Sequence, residues 1–214
     1  MSFISWQEIV LVGSGVVLIV TYHWYLYKLI QRSPFTTSIG ITNHAREIWV
    51  KEIRKDRRDI LAVQTIRNQM MAATFLASTS IIISLGLFSA SFRPGTFTEV
   101  SHALNMLGTK AEALWMFKLM LLGILFFYNF LNFSLSLRYF NHSGFMINVY
   151  EQDDPTLSSD SVTKILNHGA LHYTIGMRGF YLSVPLTLWM FGPIWMLTGS
   201  VALIAVLYRL DREA

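Results

Sequence analysis

The sequence predicts an all-α integral membrane protein: four transmembrane helices forming one domain over residues 1–214, the second helix extended into the cytoplasm and a short outer-face helix between the second and third. Three observations predict it. Charged residues make up only 14% of the chain against 53% hydrophobic residues, whereas a soluble domain carries about 25% charge. The charges are absent from four long runs and crowded between them, as expected when lipid is the solvent. The basic residues also sit mostly on one side of the resulting topology.

The first span covers residues 9–27, the second 70–92, the third 119–137 and the fourth 179–208, none holding Asp, Glu, Lys or Arg. At 1.5 Å per residue each crosses about 30 Å of hydrocarbon. Buried helices of a soluble protein rarely run so long without a polar face. No basic n-region precedes the first run and no small-residue cleavage site follows it, so it reads as an uncleaved anchor. Pro185 and Pro193 predict a tilt or kink in the fourth span. Trp6, Trp24, Tyr27, Trp115, Tyr139, Tyr181 and Tyr208 stand near span ends, as in an interfacial aromatic belt.

Lys28, Arg32, Arg46, Lys51, Arg54, Lys55, Arg57, Arg58 and Arg67 lie between the first and second spans, and Arg138, Lys164 and Arg178 between the third and fourth. The opposite face holds Arg93, Lys110, Lys118, Arg209 and Arg212. The positive-inside rule then places both termini on the outer face of a plasma (inner) membrane and the two large connections in the cytoplasm. The C-terminal tail, RLDREA, fits this assignment least.

In the first connection, Asn43 reads as an N-cap. No Gly or Pro interrupts residues 43–69, and Ile48, Trp49, Ile53, Ile60, Val63 and Ile66 keep near-helical spacing. One long helix running into the second span is expected, with Glu47 and Lys51 paired at i,i+4. Arg93-Pro94-Gly95 ends the second span. Thr96-x-x-Glu99 and Thr109-x-x-Glu112 read as capping boxes, the first for the short outer helix and the second for the third span. Asp154-Pro155 precedes a helix from about Ser158.

Polar residues gather near the cytoplasmic ends of three spans: Gln64, Arg67 and Asn68; Asn129, Asn132, Ser136, Arg138 and Asn141; His172, Arg178 and Tyr181. Bundling would bring arginines, amides and a phenol to one depth, a set suited to a phosphate, a carboxylate or a lipid headgroup. The alternative is that the arginines snorkel and the amides bond helix to helix. Ala72, Ala73, Ala77, Ser80 and Ser84 form a small-residue stripe for close packing, within the bundle or between copies. His168 and His172 share a helical face and make a minor candidate for a metal or haem, with His142 and His44 on the same side. His23 reads as hydrogen-bonded to a neighbour. Glu151, Asp153, Asp154 and Asp160 lack calcium-loop spacing. The chain has no cysteine, no span holds a carboxylate, and P-loop, nucleophile-elbow and HExxH motifs are missing. No enzyme is expected, and no cofactor is specified.

Three stretches resemble a family of small membrane proteins of bacteria and plants, domain of unknown function 599: LAVQTIRNQMMAATFLASTSI (61–81), FFYNFLNFSLSLRYFNH (126–142) and GMRGFYLSVPLTLWMFGP (176–193). The resemblance implies a four-helix membrane topology without an assigned activity. It picks out Gln64, Arg67, Asn68, Arg138, Arg178, Tyr181, Trp189 and Pro193; Asn129 and Asn132 depart from the family's aromatic pattern.

The sequence thus points to binding or permeation of a small anionic solute or lipid headgroup at Arg67, Asn68, Gln64, Arg138, Asn132, Arg178 and Tyr181. The expected partners are membrane lipids and further copies packed through the second span, not nucleic acid. The alternatives are a non-catalytic accessory subunit docked through helix 43–69 onto a larger membrane complex, and a histidine-bound metal or haem protein.

Overall fold

The computed structural model describes residues 5–92, 111–149 and 156–212. It contains six α-helices in those segments: α1 (Trp6–Arg32), α2 (Ser38–Lys55), α3 (Asp59–Ser91), α4 (Glu112–Met146), α5 (Ser159–Leu188) and α6 (Pro193–Leu210). Four of these, α1, α3, α4 and α6, are long and apolar enough to cross a membrane. The short outer helix expected around Thr96–Glu99, the Arg93-Pro94-Gly95 break and residues 151–155 lie outside the described residues.

The central seam joins α4 to its neighbours on both sides. On α3 the small-residue stripe, Ala73, Ala77, Ser80 and Ser84, is buried, and the Ser84 hydroxyl donates to the Gly123 carbonyl at 2.9 Å. These four residues of the stripe pack within the bundle, while Ala72 is exposed. On the other side, Phe140, Phe133 and Asn129 of α4 face Gly169, Gly176 and Gly179 of α5. The repeat of seven puts small residues on one α5 face, so the backbones close in as small-x-x-x-small helices do in lipid.

The expected fourth span is two helices, not one kinked helix. After α5 a 3-10 turn, Trp189–Phe191, leads to Gly192 at φ 141°, a conformation that glycine alone adopts readily. Pro193 then opens α6 with its fixed φ. The chain reverses there: Gly199 packs on Pro185 and Leu188, and Arg178 pairs with Asp211. Meanwhile α1 runs parallel to α6, Gly15 against Ser200 and the Tyr22 hydroxyl donating to Asp211 at 2.6 Å. Helices α1, α3, α4, α5 and α6 thus each traverse the bundle. Glu8 meets Lys118 and Trp189 at one end, and Asp211 meets Tyr22 and Ser38 at the other. The expected fourth span, residues 179–208, is thus shared between α5 and α6.

The first connection is also broken. Helix α2 starts well before Asn43, capped by Thr37, whose side chain accepts from the Gly40 N–H. It ends at Lys55, and Arg57 takes φ 52°. The Arg58 N–H then returns to the Ile53 carbonyl at 3.1 Å, the 6→1 bond of a Schellman cap with arginine in the left-handed position. Helix α2 folds back over α5 and the start of α3, burying Val50 and Ile53 against Ala62, Ile66, Phe140 and Leu166. The continuous 43–69 rod proposed as a docking surface does not exist. The Glu47–Lys51 pair does form, at 2.7 Å, and Lys51 holds the Glu47 carboxyl below its ordinary pKa.

Helix α4 starts at Glu112 with Ala111 at its cap; Thr109, of the expected capping box, lies outside the described residues. Helix α5 begins after Ser158, whose side chain accepts from the Ser161 N–H, as the sequence predicts. Trp115, expected at the interface, is buried with Leu119 and Met190.

Two measurements test this arrangement. The chain lacks cysteine, so single cysteines at Ser5 and Arg212 can be tagged with an impermeant maleimide in oriented vesicles. They should label from opposite sides; labelling from one side contradicts the path. A Cβ at Gly179 would stand 1.7 Å from the Asn129 Oδ1. Gly179→Ala should therefore cost about 1–3 kcal/mol through overpacking, read as thermal unfolding in detergent, and Asn129→Ala in the same chain should recover most of it.

Candidate functional site

Among the described residues no hydrogen bond or ion pair joins any two of the seven residues expected to form one site. Gln64, Arg67 and Asn68 are exposed on α3, and Arg138 is exposed on α4. Helix geometry explains α3: a residue two positions from Ile66 points about 200° round the axis from it. Ile66 is buried, so Gln64 and Asn68 face outward. Asn132 is buried and used locally, its Nδ2 donating to the Tyr128 carbonyl at 3.0 Å. Tyr181 is half-buried. Arg178 pairs with Asp211, so its charge is already met.

The two histidines flank one ring. Tyr139 stacks on His172 with centroids 5.5 Å apart, and lies 5.6 Å from His168. His168 Nδ1 donates to the Lys164 carbonyl at 2.7 Å, and His172 Nδ1 to the Asn132 Oδ1 at 3.0 Å. Among the described residues no group of three or more His, Cys, Asp or Glu side chains is placed to hold a metal ion.

Two charge clusters missed in the sequence hold the bundle at its ends. Glu8 and Lys118 are fully buried and paired at 3.2 Å. Lys118 Nζ also donates to the Trp189 carbonyl at 3.1 Å and stands over the Trp189 ring, while Trp189 Nε1 donates to Glu8 at 3.2 Å. Both charges looked like residues flanking their spans; α1 and α4 begin early enough to carry them inside. At the opposite end Asp211 accepts from Tyr22 and Arg178, and the Ser38 N–H donates to the Asp211 carbonyl at 3.0 Å. Each cluster ties helices distant in sequence.

The third cluster is different in kind. Arg46, on α2, is half-buried. Its Nη1 donates to the Asn43 Oδ1 and the Asn167 Oδ1, both at 2.7 Å. No carboxylate among the described residues lies within ion-pair distance of it. Burial lowers its pKa from the ordinary value, but a guanidinium still stays protonated near neutrality. Arg46 stands between two cavities. One, of about 420 Å³, is lined by Ser38, Thr42, Asn43, Asn167, His168 and Thr174 along with Arg46. The other, of about 560 Å³, is lined by Trp49, Ile66, Phe140, Leu166 and Tyr173.

The donor inventory of the polar cavity is specific. Ser38, Thr42 and Thr174 each give their hydroxyl hydrogen to a backbone carbonyl. The donors left for a guest are the remaining guanidinium N–H groups and the amide NH2 groups of Asn43 and Asn167, whose oxygens already serve Arg46. A half-buried cation with two amides suits an oxyanion. Arg54 makes the contrast: it is fully buried, and its Nη2 donates to the Val149 and Leu157 carbonyls at 2.6 and 2.7 Å. A signal for Arg46 was present in the sequence. Positions 46, 50 and 53 share one helix face, and the other two are Val50 and Ile53, so a cation interrupts the apolar stripe.

The family model described as a protein of unknown function, DUF599, matches residues 10–214. No curated protein and no solved structure matches the chain.

Removing Glu8 should strand the buried Lys118 ammonium. Glu8→Gln should cost about 3–5 kcal/mol, and adding Lys118→Met should restore part of the loss. Thermal unfolding of the wild type, both single variants and the double variant measures the coupling; additive effects would contradict the pairing.

Proposed function

We propose, from the premise that the chain belongs to the DUF599 family of proteins of unknown function, that it binds a small anion or anionic headgroup at Arg46, Asn43 and Asn167. The observation that carries this reading is the absence of a carboxylate partner at Arg46 among the described residues. Of the other cations drawn into the bundle, Lys118 and Arg178 each have one, and Arg54 is held by the Val149 and Leu157 carbonyls. A half-buried guanidinium held only by neutral amides retains its full charge beside a cavity of about 420 Å³. An oxyanion entering that cavity gains a charge-assisted hydrogen bond.

The site would face the cytoplasm of a plasma (inner) membrane. The end of the bundle that holds α2 also carries Arg32, Lys51, Lys55, Arg57, Arg58, Lys164, Arg209 and Arg212. At the other end Lys118 is neutralised by Glu8. The tail that fitted the four-span topology least falls on the basic face once α5 and α6 count as separate passes, which supports the positive-inside assignment. The N-terminal end then faces outward and the C-terminal end inward.

Arg46→Gln should lower affinity for inorganic phosphate at least tenfold, read by calorimetry on purified protein in neutral detergent. Arg67→Gln and Arg138→Gln should leave affinity unchanged. Arg178→Gln should lower the unfolding temperature but spare affinity. Wild-type affinity in Arg46→Gln, or no phosphate binding by the wild type, would refute the reading.

A further inference from the structure

We infer that the guest of the Arg46 site is a single-chain amphiphile, with an oxyanion head in the polar cavity and a hydrocarbon tail in the aromatic one. This rests on the anion-binding reading and extends it from the headgroup to the chain attached to it. The two cavities are neighbours: Thr42, Arg46, Ala170 and Thr174 line both. Their chemistry differs. The first presents Arg46, two asparagines and His168 beside Ile39 and Leu171; the second presents Trp49, Ile66, Phe140, Leu166 and Tyr173 beside Thr65 and Gln69. Each volume lies in the range of about 300–1,000 Å³ common to small-molecule sites. A free phosphate or short carboxylate would fill the first and leave the second, apolar cavity to water. An amphiphile fills both, and the guanidinium at the junction is where its head would turn into its tail.

The position in the fold agrees with this chemistry. Helix α2 folds back over α3, α4 and α5 where they leave the apolar part of the bundle. The aromatic cavity lies on the bundle side of Arg46, between Ile66 of α3, Phe140 of α4 and Leu166 of α5. The polar cavity lies against Ser38, whose backbone and hydroxyl are tied to the end of α6 through Asp211 and Leu210. The aromatic cavity is one volume walled by four helices, which suits one chain rather than two. His168 lines the polar cavity with Nδ1 committed to the Lys164 carbonyl, so its Nε2 accepts when neutral and donates only when protonated.

The test is a chain-length series against a head-only control. Inorganic phosphate and butyl, hexyl and octyl phosphate, each below its micelle concentration, are titrated into wild-type protein and into Arg46→Gln, Trp49→Ala and Thr65→Leu variants. In the wild type, affinity should rise about fourfold per added methylene until the cavity is full, the increment expected for burying apolar surface. Trp49→Ala removes a wall and Thr65→Leu fills the space, and both residues line the aromatic cavity without lining the polar one. Both should flatten the dependence on chain length while inorganic phosphate binds within twofold of wild type. Arg46→Gln should lose every member of the series. Equal affinity for phosphate and the alkyl phosphates, or the same slope in all folded variants, overturns the amphiphile inference and leaves the anion site standing. Undiminished binding by Arg46→Gln overturns both. Unfolding temperatures identify a variant that fails to fold, and the oppositely designed Trp49 and Thr65 variants leave one readout if the other is lost.

Discussion

A charge withdrawn from water must find an opposite charge or a full set of hydrogen bonds, and this bundle is organised around how its interior charges meet that demand. Lys118 finds Glu8 and the Trp189 carbonyl. Arg178 finds Asp211, which Tyr22 also binds. Arg54 finds backbone carbonyls where α4 turns toward α5. In each case the protein supplies the partner, and the pairing fastens helices far apart in sequence. Among the described residues Arg46 finds only the two amide oxygens. The proposed anion site rests on that difference.

The packing decides where that incomplete site stands. Glycines 169, 176 and 179 let α4 lie against α5, and the small residues of α3 close on the other side of α4. Three helices drawn this tightly leave a shallow end into which α2 can fold, burying Val50 and Ile53. The same register turns Arg46 inward. Asn129 shows how strict the fit is: it is fully buried, and neither atom of its amide has a hydrogen-bond partner among the described residues. An unsatisfied amide in a core is costly, and it is tolerated here beside Gly179, where any larger side chain would collide with it.

Hydropathy made the apolar helices legible, because the need to satisfy backbone groups in lipid leaves a long uncharged run as its trace. It could not separate α5 from α6, since the reversal at Gly192 and Pro193 lies inside an apolar stretch; the Gly-Pro pair was visible, but a kink and a hairpin share that signature. The α2–α3 break left less trace, as Arg57 adopts a backbone region usually marked by glycine. The proposed cluster of arginines rested on depth along the helices alone. Depth says nothing of rotation, and rotation sends Gln64 and Asn68 outward while sending Arg46, treated as one more surface cation, inward. The ionic ties at Glu8 and Asp211 were hidden because each joins residues far apart along the chain.

The most direct test of this account is a structure determined by electron microscopy in native lipid, inspected at the Arg46 guanidinium. The account requires elongated density, its head within hydrogen-bond distance of Arg46, Asn43 and Asn167 and its body running between Trp49 and Tyr173. A guanidinium turned to solvent, or paired with a carboxylate of the protein and flanked by empty cavities, would contradict it.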